Sequence, residues 1–237
     1  MILVYPERPL SVVASSADGA FPVTNLQNSK PKKIWKAQST SATITATVPA
    51  YSDSIGLFNT NAASATITIK IGAATQESFS VDLTSPHTHN RLWQSYTEIT
   101  VEHTVVIVLA TGSSDVVYGG VLIIGKGVSI ADPDYGLTEG REDPSIIRKL
   151  NNGAYYIRKR DAQRVFSLTF MQNRASGYYD FTNVADYYGP KPLAILLSEN
   201  MSDSHEWAIY GHLLSPFNSN HAFYNHNQVS YTITEAA

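Results

Sequence analysis

Histidines at short spacing come closest to a metal-binding pattern in this chain. His87 and His89 would share one face of a strand, and His221 and His226 lie together in a second polar segment. A zinc site needs three or four such side chains converging on one point. Both pairs fall in stretches rich in Ser, Asn and other polar residues, and no third ligand stands near the first pair. The sequence therefore favours exposed loop histidines over a metal site.

A cluster of acidic residues could supply oxygen ligands to calcium. Its members are Asp132, Asp134, Glu139, Glu142 and Asp143. Their spacing does not match the EF-hand loop, in which a glutamate closes a run of alternating oxygen ligands. A polar connector is the favoured interpretation, and no metal or other cofactor is predicted.

The motifs of nucleophilic and phosphate chemistry are missing from the sequence. It contains no Gly-x-Ser-x-Gly elbow, no Gly-x-x-x-x-Gly-Lys loop and no cysteine, which excludes thiolate nucleophiles and iron–sulfur clusters. Two carboxylates converging across a cleft could still cleave a glycosidic bond, but no local signature indicates such a pair. We predict no enzyme activity and no catalytic residue, and we keep a polysaccharide or cell-wall hydrolase as the weakest alternative.

Composition indicates a mostly β protein. Only 16% of the 237 residues are charged, and 14 are tyrosines, a balance that suits half-buried pleated surfaces. The formal net charge is −3, whereas nucleic-acid binders carry a basic excess. Apolar runs such as Val105–Ala110 are far shorter than the roughly 20 residues of a membrane span, and the first residues lack the basic region of a signal peptide. We expect no nucleic-acid partner, no membrane insertion and synthesis in the cytoplasm.

Two basic clusters are candidates for binding. Trp35 stands among the lysines of the first cluster and is predicted to be buried in the core or at an interface. In the second cluster, the run 158–160 sits at a presumed hairpin turn and is either a solvated tip or a contact between subunits, since arginine is favoured at interfaces. Arg164 begins the predicted strand that follows and is an interface candidate as well. The clusters consist of Lys30, Lys32, Lys33 and Lys36, and of Arg158, Lys159, Arg160 and Arg164.

Alternation of apolar and polar residues predicts strands throughout the first half. The predicted strands are Ala42–Val48, Ala65–Ile71, Phe79–Leu83, a longer one from Ile99 to Leu109, and Val121–Ile124. Short strands at this spacing, separated by Asn, Ser, Gly and Pro, predict a sandwich or jelly roll.

The second half combines strands with one helix. Ala154–Arg158 and Arg164–Met171 are predicted to pair across the polar turn 159–163. Leu193–Leu197, Trp207–Leu213 and Val229–Ile233 are three further predicted strands. A stripe at helical spacing predicts a helix at about 176–188 that ends before Gly189-Pro190. The stripe, which we expect to anchor the core of this half, consists of Tyr178, Phe181, Val184 and Tyr188.

A shift in composition predicts two domains. Residues 1–130 hold eight basic and eight acidic residues, whereas 131–237 hold nine and twelve. Two prolines, two glycines and the acidic cluster concentrate after residue 130, as in a connector. We predict a β-sandwich at 1–130, a connector at 131–145, and a small antiparallel β-barrel or sandwich with one helix at 146–237.

Several segments together resemble a known family. The opening that contains Asn25, Leu26 and Trp35, the alternating strand at 43–48 and the segment ending at Asn59 resemble discoidin-like (galactose-binding-like) jelly rolls from tail tips of long-tailed bacteriophages. Tyr118–Gly125 looks like the closing strand of that domain. The second half, with Gly153–Arg158, Arg164–Phe170 and one helix, is similar to small β-barrel domains of tail-tube and distal-tail proteins.

This resemblance implies a structural virion protein of a phage tail tip or baseplate, assembled in the bacterial cytoplasm. Its partners would be copies of itself in a ring around the tail axis, together with tail-tube, hub and tape-measure proteins. Interface contacts would come from Arg158–Arg164 and from a loop at 215–228. The alternative is a carbohydrate-binding adhesin module, whose jelly roll would contact a glycan of the host surface.

Overall fold

A computed structural model describes residues 1–7, 11–84, 90–129, 137–150, 153–160, 162–173, 187, 189, 191–198, 207–213, 218–223 and 226–236. The chain forms two compact units, one of residues 1–130 with 193–210 and the other of 131–192 with 211–237. Residues 193–210 were predicted to lie in the second domain, whereas their contacts assign them to the first unit.

Strands dominate the described residues. A 3-10 helix spans Val23–Gln27. The strands, in chain order, are β1 Ile2–Glu7, β2 Ser11–Ala14, β3 Trp35–Lys36, β4 Ser41–Val48, β5 Ser52–Phe58, β6 Ser64–Ile71, β7 Ala74–Asp82, β8 Arg91–Ile99, β9 His103–Ala110, β10 Tyr118–Gly119, β11 Val121–Ser129, β12 Thr138–Glu142, β13 Ile146–Lys149, β14 Tyr155–Arg158, β15 Gln163–Asn173, β16 Leu193–Leu196, β17 Ala208–Leu213, β18 Asn218–Phe223 and β19 His226–Glu235.

A five-stranded antiparallel sheet forms one layer of the first unit. Its order is β2-β4-β9-β6-β7. In β4 the alternate residues Ala42, Ile44, Ala46 and Val48 are buried, because successive side chains of a strand point to opposite faces. Ile44 pairs with Ile107 of β9, which also pairs with Ile67 of β6. This register places a row of isoleucines on the inner face.

The other layer of the first unit runs in the order β16-β1-β11-β5-β8. Buried residues of both layers form one core that includes Leu57 and Ile124 from this sheet and Ile44 and Ile107 from the other. Two packed antiparallel sheets with one shared core form a jelly-roll sandwich. The predicted mostly β fold class and N-terminal sandwich are confirmed.

The long segment between β2 and β4 closes one end of this core. Trp35 is completely buried, and its indole Nε1 donates a hydrogen bond to the carbonyl oxygen of Ser16 at 3.1 Å. Gly120 lies so close to this segment that a Cβ there would overlap the carbonyl oxygen of Pro31. Only glycine permits this approach of two backbones.

The predicted strand from Ile99 to Leu109 is wrong, since this stretch belongs to two strands in different sheets. β8 ends at Ile99 and β9 begins at His103, and Val101 is exposed in the turn between them. The backbone N–H of Tyr51 donates to the carbonyl oxygen of Ile99 at 2.7 Å, which holds the corner. Alternation continues through the corner by chance, so periodicity could not reveal the break.

The second unit contains an antiparallel sheet of β12, β15, β19 and β18, and residues 211–213 of β17 pair with β19. Phe166, Leu168, Tyr231 and Ile233 are buried along β15 and β19. Among the described residues this pairing does not close into a barrel. The predicted helix at 176–188, with Tyr178, Phe181, Val184 and Tyr188, lies outside the described residues, apart from Tyr187 in helical conformation.

The predicted pairing of 154–158 with 164–171 is also wrong. β14 pairs with β13, whereas β15 pairs with β12. The β12–β15 pairing and the β13–β14 pairing follow one another along the same two chain segments, 138–149 and 155–167. These two paired segments are here called the arm. The turn therefore lies between Lys149 and Tyr155, and the polar residues 159, 160, 162 and 163 lie along the side of the arm.

Candidate interaction surface

The outer part of the arm, residues 146–160, is here called the basic hairpin. Its register places Ile147 opposite Ile157 and Lys149 opposite Tyr155. Directly opposed residues of an antiparallel pair share a face. These four side chains therefore form one face, in which Lys149 lies beside the three apolar side chains. The other face carries the pairs Ile146–Arg158 and Arg148–Tyr156. The hairpin thus presents apolar groups on one side and arginines with a tyrosine on the other.

Both faces of the basic hairpin are open to solvent. Ile147 is 65% exposed, Tyr155 63% and Ile157 61%. Arg148 and Arg158 on the opposite face are exposed as well. Large apolar side chains are usually covered in a folded protein, and a contiguous exposed patch of them marks an interaction site.

The turn at the end of the basic hairpin depends on a glycine. Gly153 has φ of +83°, a conformation that glycine adopts without steric cost. Its N–H donates to the carbonyl oxygen of Leu150 at 2.9 Å, and the N–H of Leu150 donates to that of Ala154 at 2.7 Å. These bonds close the turn.

Ser145 joins the basic hairpin to the inner part of the arm. Its hydroxyl oxygen accepts a hydrogen bond from the backbone N–H of Arg160 at 2.9 Å. Its own N–H donates to Asp143 Oδ1 at 2.9 Å. The hydrogen bonds from Ser145, together with the nearby Lys159, lower the pKa of Asp143. Asp143 is therefore a negative charge near Lys159 of the hairpin.

Arg164, grouped in the sequence with the other three basic residues, lies in a different environment. It is buried, and its Nε donates to Glu235 Oε2 at 3.3 Å, while its guanidinium lies 5.1 Å from the ring centre of Phe166. A further nitrogen lies 3.9 Å from Glu139. Arg158, Lys159 and Arg160 are exposed. The expectation that Arg164 is exposed together with these three residues for contact with another subunit is wrong, because β15 turns this side chain inward.

The remaining candidates from the sequence form no site among the described residues. His87, His89, Asp132 and Asp134 lie outside the described residues, and the described ones contain no group of three metal-ligating side chains. The predicted loop at 215–228 is wrong from residue 218, since β18 and β19 pair there as a hairpin with Phe223 opposite His226. No described helix is long and apolar enough to cross a bilayer.

A buried polar cluster in the first unit was not found from the sequence. The hydroxyl of Ser52 lies 2.7 Å from that of Tyr96 and 3.1 Å from His103 Nε2, and the hydroxyl of Tyr96 also lies 3.1 Å from that nitrogen. His103 Nδ1 is 3.0 Å from the carbonyl oxygen of Val101, so Nδ1 donates and Nε2 accepts.

This cluster is a structural link between the two sheets, because Ser52 and Tyr96 lie in one and His103 in the other. All three side chains are buried, so a substrate could not reach the serine. Burial also raises the pKa of the Tyr96 phenol. The contact between Ser52 and His103 therefore consists of buried polar groups that are hydrogen-bonded to each other within the core.

A smaller exposed surface lies at the turn Asp18–Phe21. The N–H of Phe21 donates to the carbonyl oxygen of Asp18 at 2.9 Å, and the N–H of Asp18 donates to that of Lys36 at 2.8 Å. Lys36 Nζ lies 5.8 Å from the ring centre of Phe21. Lys30, Lys32 and Lys33 are exposed. The backbone of this turn is thus held by hydrogen bonds, and the exposed ring of Phe21 lies near the ammonium group of Lys36.

The charged residues of the basic hairpin hide its apolar character in the sequence. The segments Ile146–Lys149 and Tyr155–Arg158 place apolar residues side by side. In a strand, neighbouring residues face opposite ways, so adjacent apolar residues must appear on both faces. That pattern in a charged, two-stranded element is the signal that could have indicated an exposed apolar surface.

Comparison with known proteins gives likeness of fold. No family model matches the chain, and no curated protein matches it. Among solved structures, one of reduced XRCC1 bound to the DNA polymerase β catalytic domain matches with 17% identity and a TM-score of 0.41, covering 51% of this chain and 99% of that one. The lectin-binding domain of lectinolysin complexed with Lewis b matches with 12% identity and a TM-score of 0.43, over 52% and 95%.

Chitosan-binding module 1 from a Paenibacillus chitosanase/glucanase matches with 12% identity and a TM-score of 0.42, over 52% and 98%. Carbohydrate-binding modules thus occur among the structures that this chain resembles. Identities and TM-scores this low carry no information on what the chain itself binds, since one fold hosts many functions.

Proposed function

We propose that the protein is a non-catalytic structural component of the tail tip of a long-tailed bacteriophage, in which the basic hairpin contacts neighbouring subunits. The observation that carries the proposal is the exposure of the hairpin on both faces, with Ile147, Tyr155 and Ile157 on one side and arginines on the other. The jelly roll serves as the rigid body from which the assembly is built.

A partner is expected because an isolated two-stranded hairpin is marginal in water. The hairpin strands β13 and β14 pair with each other and with no further described strand. Tyrosine and arginine are enriched where proteins bind each other, and a cluster of them around apolar residues is the usual composition of an interface hot spot. Binding would bury the apolar face and fix the hairpin.

The wider setting follows from the resemblance of the sequence to phage tail-tip proteins. In this proposal the protein acts in the virion tail after assembly in the bacterial cytoplasm. Its partners are copies of itself and tail-tube, hub and tape-measure proteins. A ring arises when the same head-to-tail contact repeats until it closes. The burial of Ser52 and His103 supports the absence of catalysis.

The test is to assemble virions that carry Arg148→Glu, Lys149→Glu and Arg158→Glu together, here called the tip-reversed variant. All three side chains are exposed, so the fold should persist while like charges oppose each other in the interface. Tails should be short or lack tips. Lys30→Glu, Lys32→Glu and Lys33→Glu together make the same charge change on the first unit, and tails should then be normal. Normal, infectious tails from the tip-reversed variant would contradict the proposal.

A second candidate is glycan binding by the jelly roll, favoured by the turn at Phe21. An exposed aromatic ring near the ammonium group of Lys36 offers an apolar surface together with a polar group. Phe21→Ala should then abolish retention on a glycan array without changing the unfolding transition. A wild-type protein that no glycan on the array retains would remove this candidate and leave the tail-tip proposal intact.

A further inference from the structure

Charge is distributed unevenly along the arm. The basic hairpin, residues 146–160, contains five cationic residues and no acidic one. The inner part of the arm carries Glu139, Glu142 and Asp143 with Arg141 as its only cation between 138 and 143. We call residues 138–143 the acidic base. Its charged side chains are exposed. One arm therefore has a positive end and a negative end.

The cations of the basic hairpin form no salt bridge with a carboxylate of the described residues. The ion pairs found there join Lys126 to Glu98, and Arg164 to Glu139 and Glu235. Lys159 lies near Asp143, whose pKa it helps to lower, and the other four cations have no carboxylate partner among the described residues. Exposed cations around an apolar face favour a partner surface with the opposite charge.

We infer that the basic hairpin of one copy docks on the acidic base of the arm of a second copy. This inference rests on the proposed function, since it names the partner of the hairpin. Contact between the basic hairpin and the acidic base brings opposite charges together. Contact between two basic hairpins or two acidic bases would bring like charges together, which costs affinity. Ile147, Tyr155 and Ile157 would supply the apolar contact that such an interface needs at its centre.

A second copy offers an acidic excess in the half of the chain that carries the acidic base, since residues 1–130 hold equal numbers of basic and acidic residues. Outside the basic hairpin the chain has 12 basic and 20 acidic residues, so a copy attracts the hairpin at long range before contact. The strand β12 of the acidic base pairs only with β15 among the described strands. The edge of β12 away from β15 pairs with no described strand, and such an edge of a sheet can accept the strand of a partner.

The test uses the purified full chain and pairs two variants. The first is the tip-reversed variant. The second, Glu142→Lys with Asp143→Asn, is called base-reversed, and its asparagine keeps an oxygen for the N–H of Ser145. Mass is measured by sedimentation equilibrium at protein concentrations up to about 100 μM in salt of about 50 mM, where charges act over long range.

The wild-type chain should self-associate, and each variant alone should associate at least about tenfold more weakly. A one-to-one mixture of the two variants should restore association to within about threefold of wild type, because each tip then meets a base of opposite charge. Restoration also shows that both variants are folded. The variant with Glu at positions 30, 32 and 33 should associate like wild type.

A monomeric wild-type chain under these conditions, or a mixture no more associated than its parts, would overturn the inference. If the wild type is monomeric but the tip-reversed variant still produces defective tails, the proposed function survives with another partner. If mixing restores association but tip-reversed virions have normal tails, the copies bind as inferred and the proposed function fails.

Discussion

Strand β4 of the sandwich and strand β13 of the basic hairpin are both rich in β-branched residues, yet their surroundings are opposite. In β4 every second side chain is buried against the other sheet, with Ile44 completely covered. In β13 two isoleucines are followed by two cationic residues, and Ile147 is 65% exposed. The sandwich strand gains its stability within the chain, whereas the hairpin strand offers apolar surface that only another molecule can cover.

The largest loss of stability is expected from a substitution in the core of the sandwich. Trp35→Ala should lower the free energy of unfolding of the first unit by about 3–5 kcal/mol, the usual result of removing a large buried aromatic. The loss includes the hydrogen bond from its indole to Ser16. Chemical denaturation followed by circular dichroism measures it. A loss below about 1 kcal/mol would mean that Trp35 is not a core residue.

Two arginines close in sequence should respond very differently to the same change. Arg164→Glu places a third carboxylate beside Glu139 and Glu235 in a buried position, and it should destabilise the second unit by about 3 kcal/mol or more. Arg158→Glu, on the exposed hairpin, should change stability by less than about 0.5 kcal/mol. Equal effects in denaturation experiments would contradict the burial of Arg164.

Two isoleucines provide a matched comparison of the sandwich with the hairpin. Ile107→Ala removes a completely buried side chain and should cost about 2–5 kcal/mol. Ile157→Ala, at 61% exposure, should cost less than about 0.5 kcal/mol in the free protein and should weaken self-association instead. If Ile157→Ala destabilises the isolated chain as strongly as Ile107→Ala, the hairpin is covered within the chain and the comparison fails.

Jelly-roll strands were predictable from the sequence because burial on one face imposes alternation. The strand at Ala42–Val48 needed no other information, since Ile44, Ala46 and Val48 recur at every second position. The corner at Thr100–Glu102 was not predictable, because the alternation continues across it. Sheet partners depend on the path of the whole chain, and for this reason the pairing of β14 with β13 was not predictable from the sequence.

The candidate site was predictable only in part, for a related reason. Arg158, Lys159 and Arg160 form an evident cluster, but a charge run does not reveal which of its neighbours is buried. Arg164 follows four residues later and lies inside because Phe166 and Leu168 of the same strand must reach the core. Ser52, Tyr96 and His103 come from three strands, and only the fold brings them together.

Among the buried positions, the smallest loss of stability is expected in that buried polar cluster. Tyr96→Phe leaves Ser52 and His103 in contact at 3.1 Å, so the loss should be about 1 kcal/mol. Because burial raises the pKa of Tyr96, the folded chain keeps this proton at a pH where the unfolded chain releases it. Stability of the first unit should therefore fall as the pH rises above about 10.

The same variant checks this pH dependence. Denaturation at a series of pH values should show a shallower decline above about pH 10 for Tyr96→Phe than for wild type. Parallel declines would mean that other groups account for the alkaline loss of stability.

The central claim is that the basic hairpin is open in the free chain and covered in the assembly. Hydroxyl-radical footprinting reads this directly from tyrosines, with Tyr51 on the sandwich as an exposed reference and Tyr96 as a buried one. In free protein at about 500 mM salt, where charge attraction is screened, Tyr155 and Tyr156 should be modified as fast as Tyr51. In assembled tails both should be protected while Tyr51 keeps its rate. Equal modification of Tyr155 and Tyr156 in the free and assembled states would contradict the claim.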